Sequence, residues 1–262
     1  MCSRRSSTIS SYKPTLRGDY AVYSNGYILR FAATVTIICS ILLASAATLL
    51  KPAQEENIQT DIKKNILRAV QLIEPDQKYA KKDILDMFAK RMSSVVVDPA
   101  GTVIPNLTAD EVNADETDRL PIYLLKDANG AVTAYCFPIS GKGLWSTVKG
   151  YLALDSDLNT VRGITFYSHG ETPGLGGEIS KDWFIENFVG KKILDTNGSL
   201  VGITIEKGKL RADTKGKEHK VDGISGATLT GKGINEFLMG DLERFNPYFT
   251  ILRNKVHNEV IS

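Results

Sequence analysis

Cysteine is scarce and scattered. Three occur in 262 residues, at Cys2, Cys39 and Cys136. Cys39 lies inside an uncharged run and Cys2 before it, so no disulfide framework can be built from them. No Cys-x-x-Cys pair or His/Cys cluster is present, which leaves zinc and iron–sulfur centres without ligands. Histidine is equally sparse: His169, His219 and His257. Only His169 sits in a glycine-rich setting, and a lone histidine is more often structural than catalytic. No Gly-x-Gly-x-x-Gly follows a strand and no P-loop occurs, so a dinucleotide has no fingerprint here.

An excess of either charge is also missing. The formal net charge is +2. Five bases (Arg4, Arg5, Lys13, Arg17, Arg30) and one acid (Asp19) fall in the first thirty residues, leaving 27 bases against 29 acids beyond them. Such a chain has no basic field for nucleic acid. Lys207, Lys209, Arg211, Lys215, Lys217 and Lys220 cluster, but Glu206, Asp213 and Glu218 are interleaved. That pattern reads as a solvated hairpin.

Charge is absent altogether from Phe31 to Leu50, FAATVTIICSILLASAATLL. About twenty such residues span a bilayer as a helix. The basic surplus before the run places the N-terminus in the cytoplasm and everything after Lys51 across the membrane, in the periplasm of a Gram-negative bacterium. Ala44-Ser45-Ala46 offers a competing reading as a signal-peptide cleavage site, but the apolar run continues past it. With no acid inside the span, an ion path on this chain alone is not expected. Its small residues, Ala32, Ala33 and Ala44 to Ala47, suit close packing against other membrane helices.

After the span, Pro52 to Glu56 reads as a short polar connector. Residues 57–73 read as an amphipathic helix ended by Glu74-Pro75-Asp76, and 81–92 as a second helix. Strands follow at Val95-Val96-Val97, 121–125 and 132–139, the last two joined by Asp127-Ala128-Asn129-Gly130, whose Asn-Gly supports a tight hairpin turn. Further strands are expected at 151–154, 161–167 and 201–206, and a short helix at 182–188 closed by Gly190. The fold class is α+β: one N-terminal transmembrane helix, then a single periplasmic domain with helices packed on a mainly antiparallel sheet. The expected divisions are a cytoplasmic tail (1–30), the membrane helix (31–50), a helical and strand region (51–135), a cofactor domain (136–250) and a C-terminal tail (251–262).

Three motifs carry chemistry. Asp222-Gly223-Ile224-Ser225-Gly226-Ala227-Thr228 places a hydroxyl nucleophile just past a turn of small residues. Its plainest reading is a helix start, with Ser225 or Asp222 as N-cap and Leu229, Ile234, Phe237, Leu238 and Leu242 following at helical spacing. A helix N-terminus also favours a phosphate, through its free N–H groups and dipole. No base lies beside Thr228 in sequence, and threonine needs activation. Attachment of a ligand there therefore calls for a separate transferase. The second motif is Ser140-Gly141-Lys142-Gly143-Leu144-Trp145. The third is His169-Gly170-Glu171-Thr172-Pro173-Gly174-Leu175-Gly176-Gly177-Glu178. Each is an irregular glycine-rich loop on its own. Together they offer a wall for a flat ring, with Leu144, Trp145 and Leu175 as faces and Glu171 and Thr172 as polar contacts. Trp145 has an equal claim to be a core residue.

The 222–228 run resembles the flavinylation motif at which FMN is joined to threonine through a phosphoester. The three motifs in order resemble the NqrC family, the flavin-bearing subunits of the sodium-translocating NADH:quinone reductase, specifically over about Phe137 to Phe245. The N-terminal span agrees. The resemblance implies one covalent FMN per chain on Thr228. Asp222, Ser225, Gly226, Ala227, Lys142, Leu144, Trp145, Gly170, Glu171, Thr172, Leu175 and Gly176 would line it. No catalytic or metal-ligating residue is implied. It further implies a relay role in an inner-membrane complex of six subunits, which takes electrons from NADH to ubiquinone and exports sodium. A flavin transferase would mature the chain. The nearest rival is RnfG of the Rnf ferredoxin:NAD complex, which shares the threonine motif and the span. A tethered binding module without redox role, and a self-contained flavin reductase, are the other classes.

Overall fold

The computed structural model describes residues 24–74, 77–112 and 117–261. Residues 1–23 of the expected tail and the Pro75-Asp76 helix stop lie outside them. The chain divides into two compact units, Met1–Glu55 and Glu56–Ser262. The described part of the first unit is helical. Its helix, α1, runs over Asn25–Ala69 and continues into the second unit. It is long and apolar enough to cross a membrane. Within the apolar run, the hydroxyl of Thr48 donates to the Ala44 carbonyl at 2.8 Å, and that of Thr34 to Arg30 just at its start, also at 2.8 Å. Neither hydroxyl then faces hydrocarbon unsatisfied.

The expected connector at Pro52–Glu56 is helical instead. Proline costs a helix interior about 3 kcal/mol. Here good helix formers flank it on both sides, and Lys51 meets Glu55 at 3.8 Å, one turn on.

The second unit is built on a five-stranded antiparallel meander in chain order: β1 Met92–Val97, β2 Leu120–Lys126, β3 Val132–Lys142, β4 Thr147–Asp155 and β5 Val161–Ser168. The expected division at 135/136 falls inside β3, so it separates no two folded parts. The expected β2–β3 hairpin is present, and its connection is a five-residue loop. The Asp127 carboxylate accepts from the N–H groups of Asn129 and Ala131, and Gly130 alone takes positive φ.

Alternation along the strands gives the sheet two apolar faces. One carries Ile122, Phe137, Ile139, Leu152 and Phe166. It packs against the long helix α4, Thr228–Ile261, through Ile234, Leu238, Leu242, Phe245 and Phe249. The rings of Phe137 and Phe245 lie 4.5 Å apart. The other face carries Tyr123, Ala134, Cys136, Tyr151 and Ala153, with Ile66 and Leu67 of α1, Val70 just after it and Ile84 of α2 (Lys81–Arg91) in the same cluster. Small residues at its centre let α1 come close. Cys136 is fully buried, and burial pushes its thiol far up, so it serves packing.

The short helix is present as α3, Asp182–Ile185, extended by a 3₁₀ turn to Phe188. The expected 201–206 strand shrinks to β6, Thr204–Ile205, paired in parallel with β7, Lys220–Val221. The expected C-terminal tail is helical, since α4 runs through Pro247 to Ile261.

Candidate cofactor site

The first turns of α4 bring the three motifs together. Thr228 opens the helix and is exposed. The first hydrogen bond of the helix runs from Gly231 N–H to the Ala227 carbonyl. The N–H groups of Thr228, Leu229 and Thr230 make no bond among the described residues, as the geometry of a helix start requires. Gly226 precedes them at φ +76°, and Leu175 lies against it: a Cβ there would stand 2.7 Å from Leu175 Cδ2. The turn thus needs glycine for both conformation and space.

The loop after β3 is held to the same helix. A Cβ on Gly233, in the second turn of α4, would lie 2.3 Å from the Lys142 carbonyl. Backbone therefore meets backbone where Lys142 and Gly143 leave β3. Further along, the Asp241 carboxylate accepts the Ser140 N–H at 2.8 Å and the Arg244 guanidinium at 2.9 Å. Burial raises the Asp241 carboxyl in spite of these two contacts.

Glu171 joins the third motif to the other two. Its side chain is buried, with the residue 5% exposed. Oε2 accepts the Thr230 hydroxyl at 2.7 Å. Oε1 accepts the N–H groups of Trp145 at 2.9 Å and Ser146 at 3.3 Å. Burial acts to raise its carboxyl. The bonds from Thr230 and from the Trp145, Ser146 and Leu144 backbone outweigh that and hold it below the usual glutamate range. Gly170 N–H donates to Ser146 Oγ at 2.5 Å, and Gly176 backs onto both Thr230 and Glu171. Glu171 thus points inward as the tie between two loops and a helix.

The apolar residues do the opposite. Trp145 is 71% exposed, which removes its reading as a core residue. Leu144, Leu175 and Leu229 are also exposed. Leu229 therefore does not continue the buried stripe of α4, which begins at Thr230 and Ile234. Thr172 is exposed, and its carbonyl closes the loop by accepting from Leu175 and Gly177. Lys142 is exposed, and its ammonium makes no polar contact among the described residues. The His169 Nδ1 is enclosed without a partner.

Neither expected N-cap acts as one among the described hydrogen bonds. Asp222 instead accepts the Leu210 N–H at 2.7 Å, fastening the basic stretch, which is not the expected hairpin but a loop joining the parallel strands β6 and β7. Ser225 is exposed. A groove of about 230 Å³ runs beside Thr228, lined by Ile224, Ala227, Glu206, Lys207, Lys232 and Asn235 among others. Sequence reasoning misses Lys207, Lys232, Thr230 and Asn235 as members of the site. Asn235 pairs with both backbone groups of Ile205, accepting at 2.7 Å and donating at 3.0 Å, which docks β6 on the helix. The available signal is Gly231-Lys232-Gly233: two glycines inside a helical pattern mark a close approach.

An exposed hydroxyl, three free N–H groups, nearby lysines and flanking apolar side chains fit a phosphate carrying a flat ring. Comparison with known proteins agrees. The FMN-binding domain family matches residues 143–239. NqrC of Haemophilus ducreyi, from its Na(+)-translocating NADH-quinone reductase, is 40% identical over 227 residues, covering 79% of this chain and 85% of that protein. The chain belongs to the NqrC family. The Pasteurella multocida NqrC is 35% identical over 260 residues, covering 90% of this chain and 97% of its own. The NqrC crystal structure from Parabacteroides distasonis superposes with a TM-score of 0.68 at 29% identity, covering 77% of this chain and 97% of that one. Shewanella oneidensis NqrC, 24% identical with a TM-score of 0.65, shares the fold. Membership of the NqrC family sets aside RnfG as the nearer relative.

Proposed function

We propose that this chain is the FMN-carrying electron-relay subunit of a sodium-pumping NADH:quinone reductase, with the FMN phosphate esterified to Thr228 Oγ1. The observation that carries the reading is the exposed Thr228 at the open start of α4, set between the Leu144-Trp145 loop and Leu175. Bound FMN supplies the redox chemistry. The chain's own residues attach, orient and partly cover it. The free N–H groups of the first turn and the ammonium groups of Lys207 and Lys232 offset the one negative charge that the phosphodiester keeps. Leu144, Trp145 and Leu175 supply apolar surface for the ring. Glu171 fixes the loops that present two of them.

Membership of the family supports the rest of the reading. The α1 run at 31–50 anchors the chain in the inner membrane with the N-terminus cytoplasmic. The second unit works in the periplasm beside the other members of a complex of six subunits. A flavin transferase makes the ester, since no base adjoins Thr228 among its described contacts. Thr228 is exposed and so open to such an enzyme. NADH and quinone react on other subunits.

Intact mass of the chain made in its own host tests this. It should exceed the sequence mass by one FMN less one water. Thr228→Ala should give folded protein without flavin. Denaturation-resistant yellow fluorescence retained in that variant would overturn the assignment.

A further inference from the structure

A second cleft lies on the sheet face away from α4. Its volume is about 630 Å³, within the roughly 300–1,000 Å³ typical of small-molecule sites. The 58–65 stretch of α1 forms one wall, and tyrosines from three strands form the other: Tyr123 of β2, Tyr151 of β4 and Tyr167 of β5. The Tyr151 and Tyr167 rings stack at 5.6 Å, 19° from parallel, and Tyr123 meets Tyr151 edge-on at 6.1 Å. The wall is thus flat in one part and closed by a ring edge in another.

The phenols at its base are the informative groups. Tyr123 is 6% exposed and Tyr151 3%. Neither hydroxyl has a hydrogen-bond partner among the described residues. Among the described residues the fully enclosed unpartnered side-chain atoms are Ser93 Oγ, Thr165 Oγ1 and His169 Nδ1, and both tyrosines line the cleft. Buried polar groups usually find partners, and two side by side without one call for an explanation. Burial, reinforced by the charge of Asp110, pushes both phenols well above the usual tyrosine range, so they stay protonated and act as donors. Among the described residues that line it the charged ones are of both signs: Asp61, Asp110, which pairs with Lys63 at 3.7 Å, and Lys149.

We propose that this cleft binds a neutral, planar, carbonyl-bearing ligand of two or three fused rings, its carbonyl oxygen accepting from the Tyr123 and Tyr151 hydroxyls and its ring lying along the tyrosine wall. The site is separate from Thr228 and takes no part in holding the flavin. Two donors select for an acceptor, charge of both signs selects against an ion, and the stacked rings select for a flat body.

Coumarin, a neutral two-ring lactone, is the probe, and naphthalene is its carbonyl-free counterpart. Ligand-observed NMR on the full chain in lipid nanodiscs reads the binding of each. Coumarin should bind saturably and naphthalene at least about tenfold more weakly, one or two hydrogen bonds being lost. Tyr123→Phe with Tyr151→Phe should weaken coumarin about tenfold, and each single change about threefold. The single changes serve if near-UV circular dichroism finds the double variant unfolded. Flavin-free Thr228→Ala protein should bind coumarin as the wild type does. No saturable binding, equal binding of naphthalene, or full binding without the two phenols overturns the proposal. Loss of binding in Thr228→Ala overturns the separation of the two sites.

Discussion

Replacing Glu171 by glutamine separates charge from shape at the centre of the site. The side chain keeps its volume. Its amide oxygen can still accept from Trp145 and Ser146, while its NH₂ can donate to a rotated Thr230 hydroxyl. What goes is the charge behind three hydrogen bonds of 2.7, 2.9 and 3.3 Å. A bond to a charged acceptor contributes about 1.5–3 kcal/mol and a neutral one about 0.5–1.5. Three such differences give a loss of about 2–4 kcal/mol. At about 2–4 °C per kcal/mol for a domain of this size, Tm should fall by roughly 5–15 °C. Alanine leaves two part-buried N–H groups and a buried hydroxyl without partners and should cost about 3–5 kcal/mol.

The pH dependence is the sharper reading. The folded carboxyl lies below its ordinary value of 4.5, which the unfolded chain recovers. Folded protein thus binds fewer protons through this range. The stabilisation is complete above 4.5 and is lost as pH falls through the folded value. Urea unfolding of the full chain from pH 7 to pH 3 measures it. Wild type should lose more stability on acidification than Glu171→Gln does. Equal acid sensitivity in the two proteins would refute the argument that an ionised Glu171 ties the loops to α4.

Helical glycine normally gains about 1 kcal/mol on becoming alanine. Gly240→Ala should show that gain in urea unfolding, since nothing lies within 4 Å of the added Cβ. Gly233→Ala should instead lose stability, because its Cβ would stand 2.3 Å from the Lys142 carbonyl and push α4 off the β3 loop. Asn235→Ala removes both bonds to Ile205 and should cost about 1–3 kcal/mol, with faster amide exchange at Ile205. Lys207→Gln with Lys232→Gln should leave melting unchanged and slow flavin attachment severalfold in a timed mass measurement, if the groove at Thr228 receives the phosphate.

The elements that sequence makes legible are those with a strong period. Alternation between Leu120 and Phe166 marks four of the five sheet strands, and Ile234, Leu238 and Leu242 mark the stripe of α4. The misreadings sit where a local rule meets a tertiary force. The polar stretch from Pro52 argues for a connector, yet it lies inside a helix whose flanking residues favour continuation. By contrast the Asn-Gly signal places the β2–β3 hairpin where it is, and Asp127 caps its loop with its own side chain. At the site, residue type gives the membership of the three motifs but not their direction. Glu171 and Trp145 both suit a flavin contact on paper. Burial sends the carboxylate inward to collect N–H groups that have no other acceptor, and leaves the indole outside. Asp222 reads as a cap because it precedes a helix, whereas Leu210 N–H, twelve residues back, claims it. Such long-range hydrogen bonds have no period and leave no trace in a single sequence.

The shallowness of the site bears on why its ligand would be covalent. A pocket that holds a free cofactor usually buries most of the ligand's surface. Here Thr228, Leu144, Trp145 and Leu175 are all exposed, and the groove beside the threonine is only about 230 Å³, less than a flavin mononucleotide requires. Contacts of that extent leave little surplus after the lost freedom of a bimolecular complex. An ester at Thr228 removes the bimolecular term and turns ring placement into an intramolecular equilibrium at high effective concentration. On the proposed reading the exposed indole and leucines would hold the ring without enclosing it, leaving an edge of it open. The two demands, retention and exposure, conflict in a deep pocket and are reconciled by an open one with a bond. Trp145→Ala is the discriminating change. It should leave the ester and the mass intact while the flavin fluorescence, no longer quenched by a neighbouring indole, rises severalfold and loses anisotropy. Unchanged fluorescence and anisotropy would mean that the ring does not rest on Trp145, and that the flavin is held by some surface other than the one these loops present.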